Sequence, residues 1–197
     1  MNIQKSYQWH LESVKTETWV YVEDVFTSEE IDKIIESGKK EDIIEAEIGT
    51  SNKINKNIRN TKISWINSSD KDNDWLFLRL SDVINYTNNK FFNYDITTIQ
   101  TLQYSIYHKG GFFSEHIDLS KVSAMGVRKL SFSVMLTDPE EYEGGELLLK
   151  IDSFPITPPN KKGTVIFFPS YVLHEVTPVT KGTRKTLVGW VLGPKFR

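Results

Sequence analysis

The sequence predicts a mainly β fold, a β-sandwich or jelly roll buttressed by helices from its N-terminal third. Two observations carry this. After residue 96 the chain reads as one strand after another, with β-branched and aromatic runs separated by turn residues. Before it, two segments repeat their apolar residues at the helical period.

In chain order, "WVYVEDVF" (19–26) has strand character. "TSEEIDKIIESGKK" opens with a Thr or Ser suited to an N-cap, places carboxylates in the first turn, and ends near Gly38 with two lysines. Those are the signals of a short amphipathic helix. "DIIEAEIG" reads as a strand, and the polar, aperiodic "GTSNKINKNIRN" after it as an exposed loop. Between 73 and 92, Leu76, Leu80, Val83, Ile84 and Phe91 recur at roughly the helical spacing, which marks the longest helix.

The strands follow as "TTIQTLQYSIY", "RKLSFSVMLTD", "GELLLKI", "GTVIFFPS" and "RKTLVGWVL". Their alternation is informative. Leu130, Phe132, Val134 and Leu136 share one face, against Ser131, Ser133 and Met135 on the other. Leu102, Tyr104 and Ile106 likewise oppose Gln103, Ser105 and Tyr107. Strands with one apolar and one more polar face can enclose a small polar cavity when the sheet folds over on itself. The N-terminal helices then cover an outer apolar face.

At 197 residues one domain is expected over 1–197, with 1–96 as an α/β buttress and 97–197 as the β core. Hydrophobic content of 39% and charged content of 25% describe an ordinary soluble globular protein. The 24 basic and 26 acidic residues leave no basic footprint, so nucleic acid is not expected as a partner. Cysteine is absent, which excludes disulfides, thiolate metal sites and cysteine nucleophiles. No segment resembles a signal peptide or a membrane span; a cytoplasmic location without membrane attachment is the expectation.

The chemistry centres on "HIDLS". An H-x-D alone is a weak signal, but at period two His116 and Asp118 point the same way on a strand. A third ligand from another strand is available in His174 of "FPSYVLHEVTPV". Two imidazoles and one carboxylate form the facial triad that suits non-haem iron(II) and leaves coordination positions open. Ten residues on stands Arg184, which shares a face with Thr186, Val188 and Trp190. A buried arginine without a carboxylate partner calls for an anionic ligand, such as the far carboxylate of a dicarboxylic cosubstrate. Tyr107, nine residues before His116, faces the same side and can donate a phenolic hydrogen bond to that ligand. Taken singly, each residue also fits a plainer role: a surface His116, a satisfied strand-end His174, an Arg184 on an exposed edge. His108, next to Tyr107, points to the opposite face. In "GTSNKINKNIRNTK", Lys53, Lys56, Arg59 and Lys62 suit either a lid that meets an acidic or peptide substrate or a solvated loop.

The pieces "YHKGGFFSEHID", "RKLSFSVML", "EGGELLL" and "FPSYVLHEVTPVTKGTR", followed by Trp190, resemble the catalytic core of the prolyl 4-hydroxylase-like 2-oxoglutarate/Fe(II) dioxygenases, especially the PKHD-type hydroxylases. "FTSEEIDKIIESG" and "IRNTKISWI" resemble the N-terminal region of that family. The resemblance implies a double-stranded β-helix (jelly roll) core over 97–197. It implies His116, Asp118 and His174 as both catalytic residues and iron ligands, with Arg184 and Tyr107 as cosubstrate contacts. The implied cofactors are Fe(II), 2-oxoglutarate and O2, with ascorbate as a supporting reductant. The implied reaction is hydroxylation of prolyl residues of a peptide or protein, or of free proline, with release of succinate and CO2. A monomer or weak dimer is expected. One departure stands out: Met135 occupies a position where some relatives carry a second cosubstrate tyrosine.

Three rival classes need weighing. An AlkB-like nucleic-acid oxidative demethylase shares fold and triad, but its signature has a second arginine six positions beyond the anchor, where Trp190 stands here. A non-catalytic jelly-roll binding module has no need of Arg184 at its spacing from His174. A zinc hydrolase lacks a clearly placed carboxylate base.

Overall fold

A computed structural model of the chain describes residues 17–47, 54–119 and 127–195. Lys53 therefore lies outside the described residues. The chain begins with β1 (Val20–Val22), α1 (Ser28–Lys40), β2 (Ile44–Glu45), β3 (Arg59–Asn60), β4 (Lys62–Ile66) and α2 (Asp74–Thr87). The strand-rich part follows: β5 (Thr98–Ile99), β6 (Leu102–His108), β7 (Phe112–His116), β8 (Val127–Met135), β9 (Tyr142–Gly144), β10 (Leu147–Lys150), β11 (Val165–Pro169), β12 (Leu173–Val176) and β13 (Val179–Gly193).

Two antiparallel sheets result. The larger runs β1-β11-β8-β13-β6-β4-β2, with β5 and β9 pairing off β13; the smaller runs β10-β12-β7-β3. The alternation read from the sequence decides what each face covers. Leu102, Tyr104, Leu130, Phe132, Val134 and Leu187 join Ile31 and Ile34 of α1 and Leu76, Leu80 and Ile84 of α2 in one buried cluster. The helices thus cover the outer face of the larger sheet. Residues of opposite parity, Tyr107, Met135, Ile166 and Phe168, pack with Leu147, Leu149 and Val176 of the smaller sheet. This second cluster lies between the sheets, and the jelly-roll expectation is met.

The helix signals locate α1 well at its start. Thr27 accepts from the Glu30 backbone N–H at 3.3 Å, and Glu30 accepts from the Thr27 N–H at 3.0 Å, a reciprocal cap worth about 1 kcal/mol. Arg79 of α2 donates to Glu30 at 2.9 Å and to the Val25 carbonyl at 2.7 Å, which fixes the two helices at this cap. At the other end α1 closes with Lys39 and Lys40, as expected. Gly38 lies inside it, buried, where a Cβ would collide with the Tyr104 ring. The glycine is a close-approach residue that lets helix meet sheet. The helix expected over 73–92 is α2, followed by one wider turn over Asn88–Phe92. Asn93 stops it in the left-handed region at φ 54°, with its N–H on the Asn88 carbonyl at 2.7 Å.

Two strands are shorter than their sequence suggests. β1 stops at Val22 because Asp24 turns the chain at φ 55° toward the Thr27 cap. Among the described residues of "DIIEAEIG", Ile44 and Glu45 pair with β4. Among the described residues no helix is long and apolar enough to cross a membrane.

Candidate metal centre

β7 and β12 are neighbours in the smaller sheet, and His116 and His174 are direct cross-strand partners. Their rings stand 4.2 Å apart at 53°. Asp118 lies beyond the end of β7, contrary to the expectation of one continuous strand. Its backbone N–H and that of Leu119 bond the Ser170 carbonyl at 3.0 and 2.9 Å, which draws the chain away from the smaller sheet. The carboxylate nevertheless reaches the histidines. Oδ1 is 3.7 Å from His116 Nε2, and Oδ2 is 3.5 Å from His174 Nε2. Ser131 of β8 donates to Oδ2 at 2.7 Å and so ties the group to the larger sheet.

The tautomers follow from the partners. His116 Nδ1 sits 2.8 Å from the Ser114 carbonyl, and His174 Nδ1 2.9 Å from the Val172 carbonyl. A carbonyl only accepts, so both Nδ1 atoms donate and both Nε2 atoms of the neutral rings present lone pairs. Two lone pairs and a carboxylate, with donor atoms within 4.8 Å of one another, converge on a point that could hold a cation. This donor set fits a divalent metal with open positions, iron(II) among them. Burial, then His174, holds His116 down at about 4, so it stays a neutral donor. At Asp118 burial acts to raise the pKa, but His174, His116 and the Ser131 hydroxyl outweigh it and hold the carboxyl below its ordinary value.

The triad opens on a cavity of about 790 Å³ between the sheets. Arg184 of β13 stands opposite Tyr107 of β6 in register, and both line this cavity. Arg184 is 2% exposed, and among the described residues its Nε has no hydrogen-bond partner. Nη2 lies 3.8 Å from Met135 Sδ, and the guanidinium is 5.3 Å from the Tyr107 ring centre. Gly145, at φ 65°, lets the arginine stem pass, since a Cβ there would stand 2.9 Å from Arg184 Cδ. Thr186, Val188 and Trp190 line the same wall, as period two requires. His108 points away, exposed, and contacts Thr183 Oγ1 at 3.2 Å.

Sequence reasoning missed two residues of the cavity. Arg59, assigned to a lid or solvated loop, is instead 7% exposed on β3, stacked over Phe113 at 4.4 Å, and lines the site. Phe113 in turn stacks on His116 at 3.6 Å. By strict alternation Arg128 belongs with Leu130 and Phe132 on the helix-covered face. A bulge between the Val191–Leu130 and Leu192–Arg128 pairs reverses it, and the guanidinium lies 3.7 Å over the Trp190 ring.

The 2OG-Fe(II) oxygenase superfamily profile matches residues 102–192, the stretch that carries His116, Asp118 and His174 together with Arg184 and Tyr107. This segment is similar to the 2OG-Fe(II) oxygenase superfamily. The chain is similar to a PKHD-type hydroxylase from Picosynechococcus sp., 39% identical over 94 residues, which are 48% of this chain and 42% of the relative. The chain thus spans less than half the length of the curated relatives it matches. In fold it is similar to a Pseudomonas putida prolyl-4-hydroxylase, with TM-score 0.72 and 19% identity over 91% of this chain and 95% of that one. A Trichoplax adhaerens prolyl hydroxylase, solved with a hypoxia inducible factor oxygen degradation domain peptide fragment, has TM-score 0.74 and 18% identity. That match covers 89% of this chain and 84% of the other.

Proposed function

We propose that this protein is a 2-oxoglutarate- and O2-dependent iron(II) hydroxylase that acts on prolyl residues of a peptide or protein. The observation that carries the proposal is one cavity holding both the His116, Asp118 and His174 donor set and a buried, unpaired Arg184. The PKHD-type and prolyl hydroxylase relatives support the choice of substrate.

In this reading His116, Asp118 and His174 hold iron(II), and Arg184 receives the distal carboxylate of 2-oxoglutarate by a charge-assisted hydrogen bond. Bound together, metal and cosubstrate supply an oxidant that inserts one oxygen atom of O2 into a C–H bond while 2-oxoglutarate becomes succinate and CO2. The protein orients and shields. The carbonyls of Ser114 and Val172 fix the two ring tautomers, and Ser131 fixes the carboxylate. Tyr107 and Met135 pack on either side of Arg184 and keep its guanidinium out of water. A dry site strengthens its hold on an anion.

The test is incubation of purified protein with Fe(II), 2-oxoglutarate, O2 and proline-containing peptides. Succinate formation together with hydroxyproline in the peptide is the expected result. Turnover of a lysyl or nucleobase substrate, with none of any prolyl compound, would replace the substrate assignment.

A further inference from the structure

Besides Arg184, the cavity is lined by two more guanidinium groups, Arg59 and Arg128. Among the described residues the Arg59 Nε is buried and without a hydrogen-bond partner, its Nη1 has a long contact, 3.5 Å, to the Glu47 carbonyl, and its guanidinium also interacts with the Tyr107 hydroxyl. Arg128 donates through Nε to Gln100 Oε1 at 2.7 Å and through Nη1 to the Asp118 carbonyl at 3.4 Å. Among the described residues, no carboxylate side chain is ion-paired with any of the three arginines.

The charge inside the cavity is therefore unbalanced. Its buried carboxylate is Asp118, which faces the two histidines. Glu47 and Glu115 stand at the mouth, both exposed, and Glu115 is paired with Lys150. A divalent metal and a dicarboxylic cosubstrate cancel each other's charge. Asp118 then offsets one guanidinium, and two remain uncompensated. Buried cations without a counter-charge are costly, so they mark a place where an anion is to arrive. Around this cationic interior the rim is apolar: Ile44, Ile58, Trp65 and Ile117 are all exposed and all line the opening. An apolar rim suits the flanks of a peptide, in which the available anion is a carboxylate.

We infer that the substrate presents a carboxylate close to the reacting residue, and that Arg59, assisted by Arg128, receives it. This rests on the hydroxylase reading and narrows its substrate class. The carboxylate has two sources, an acidic side chain beside the target residue or the C-terminal carboxylate of the target itself, free proline included.

Calorimetric titration without O2, into protein loaded with Mn(II) and 2-oxoglutarate, separates these. The probes are a capped, amidated prolyl peptide with glutamine neighbours, the same peptide with glutamate neighbours, the same peptide ending in a free prolyl carboxylate, and free proline. At least one carboxylate probe is expected to bind about tenfold or more tightly than the neutral peptide. Arg59→Gln should bring that ratio close to one, and Arg59→Lys should restore part of it. Binding of 2-oxoglutarate by each variant reports whether its cavity is intact, and Arg128→Gln serves as a second variant, expected to reduce the ratio. Equal binding of all probes, or none, overturns the inference, as does a preference that survives in both glutamine variants. Turnover is scored apart with Fe(II) and O2. Hydroxyproline formed without carboxylate preference removes the inference and keeps the function; preference without hydroxyproline does the reverse.

Discussion

His116 and His174 are direct partners across β7 and β12, so strand pairing itself sets the distance between the two imidazoles. Asp118 comes to them from outside the strand, held by Ser131 of the opposite sheet. The donor set is thus assembled from both sheets, and it exists only in the folded chain. Purified protein is expected to bind one Fe(II) per chain, with Mn(II), Co(II) or Ni(II) able to replace it. His174→Ala should lose stoichiometric binding, as measured by metal analysis after gel filtration. Undiminished iron in that variant would sink the assignment.

Ser131 contributes one short hydrogen bond, 2.7 Å, to the Asp118 carboxylate, and it also contacts the Ser170 hydroxyl at 3.0 Å. Its removal leaves the ligands in place but frees the carboxylate to rotate. Ser131→Ala should therefore weaken metal affinity about 10- to 100-fold, the usual effect of losing such an orienting partner. Competition against a chelator of known affinity gives the number. An unchanged affinity would mean that the Asp118 backbone contacts alone fix its position.

The pH dependence has a definite sign. His116 is held near 4 in the folded chain, against an ordinary value of 6.5. Below about 6.5 the unfolded chain takes up a proton that the folded one refuses, so the metal-free fold is fully stable above that pH and loses stability as pH falls toward 4. Asp118, also lowered in the fold, adds to the loss in acid. The histidine contribution is on the order of 2–3 kcal/mol. Urea unfolding of metal-free protein between pH 7 and pH 4.5 should show a falling midpoint, and His116→Gln should flatten that fall. A midpoint independent of pH would contradict a neutral, buried His116.

Gly38 offers a test of the fold away from the site. It lies inside α1 against the Tyr104 ring, and Ser64 Oγ donates to its carbonyl at 2.6 Å. Helix propensity alone makes Gly38→Ala stabilising, by up to about 1 kcal/mol. The collision with Tyr104 predicts the opposite, a loss of roughly 1–3 kcal/mol from overpacking. Denaturant unfolding of the variant decides between them by sign.

The sequence made the sheet faces legible wherever the alternation was unbroken. The faces of Arg184, Thr186, Val188 and Trp190 follow from period two, and so does the split between Phe132 and Met135. Arg128 was not legible, because a bulge reverses its face and a bulge leaves no mark in "VRKLSF". Arg59 was hidden for a different reason. Two residues of β3 add to β7 in a stretch whose polarity reads as loop, and only the pairing with Phe112 and Phe113 buries it. The helix end near Gly38 was legible, but the constraint on Gly38 itself, the Tyr104 ring, is remote in sequence. Local patterns gave the elements; contacts between distant segments gave the rest.

Arg184 separates cosubstrate binding from metal binding most sharply. Among the described residues its guanidinium contacts Met135 and Tyr107 and has no hydrogen bond or ion pair with the triad. Arg184→Ala should retain Fe(II) yet bind 2-oxoglutarate far more weakly. Loss of a buried charge-assisted contact is worth roughly 2–5 kcal/mol, or about 30- to several-thousand-fold in affinity. Arg184→Lys should recover only part, since an ammonium keeps the charge but not the planar fork. In steady state the alanine variant should show a raised KM for 2-oxoglutarate, with a smaller loss in kcat if the contact binds ground and transition states alike. An arginine that served only packing would leave 2-oxoglutarate affinity unchanged while lowering the unfolding midpoint. Anaerobic titration of 2-oxoglutarate into Fe(II)-loaded wild type and variant, followed by the metal-to-ligand charge-transfer band, measures the difference directly. Equal affinities would remove Arg184 from the site.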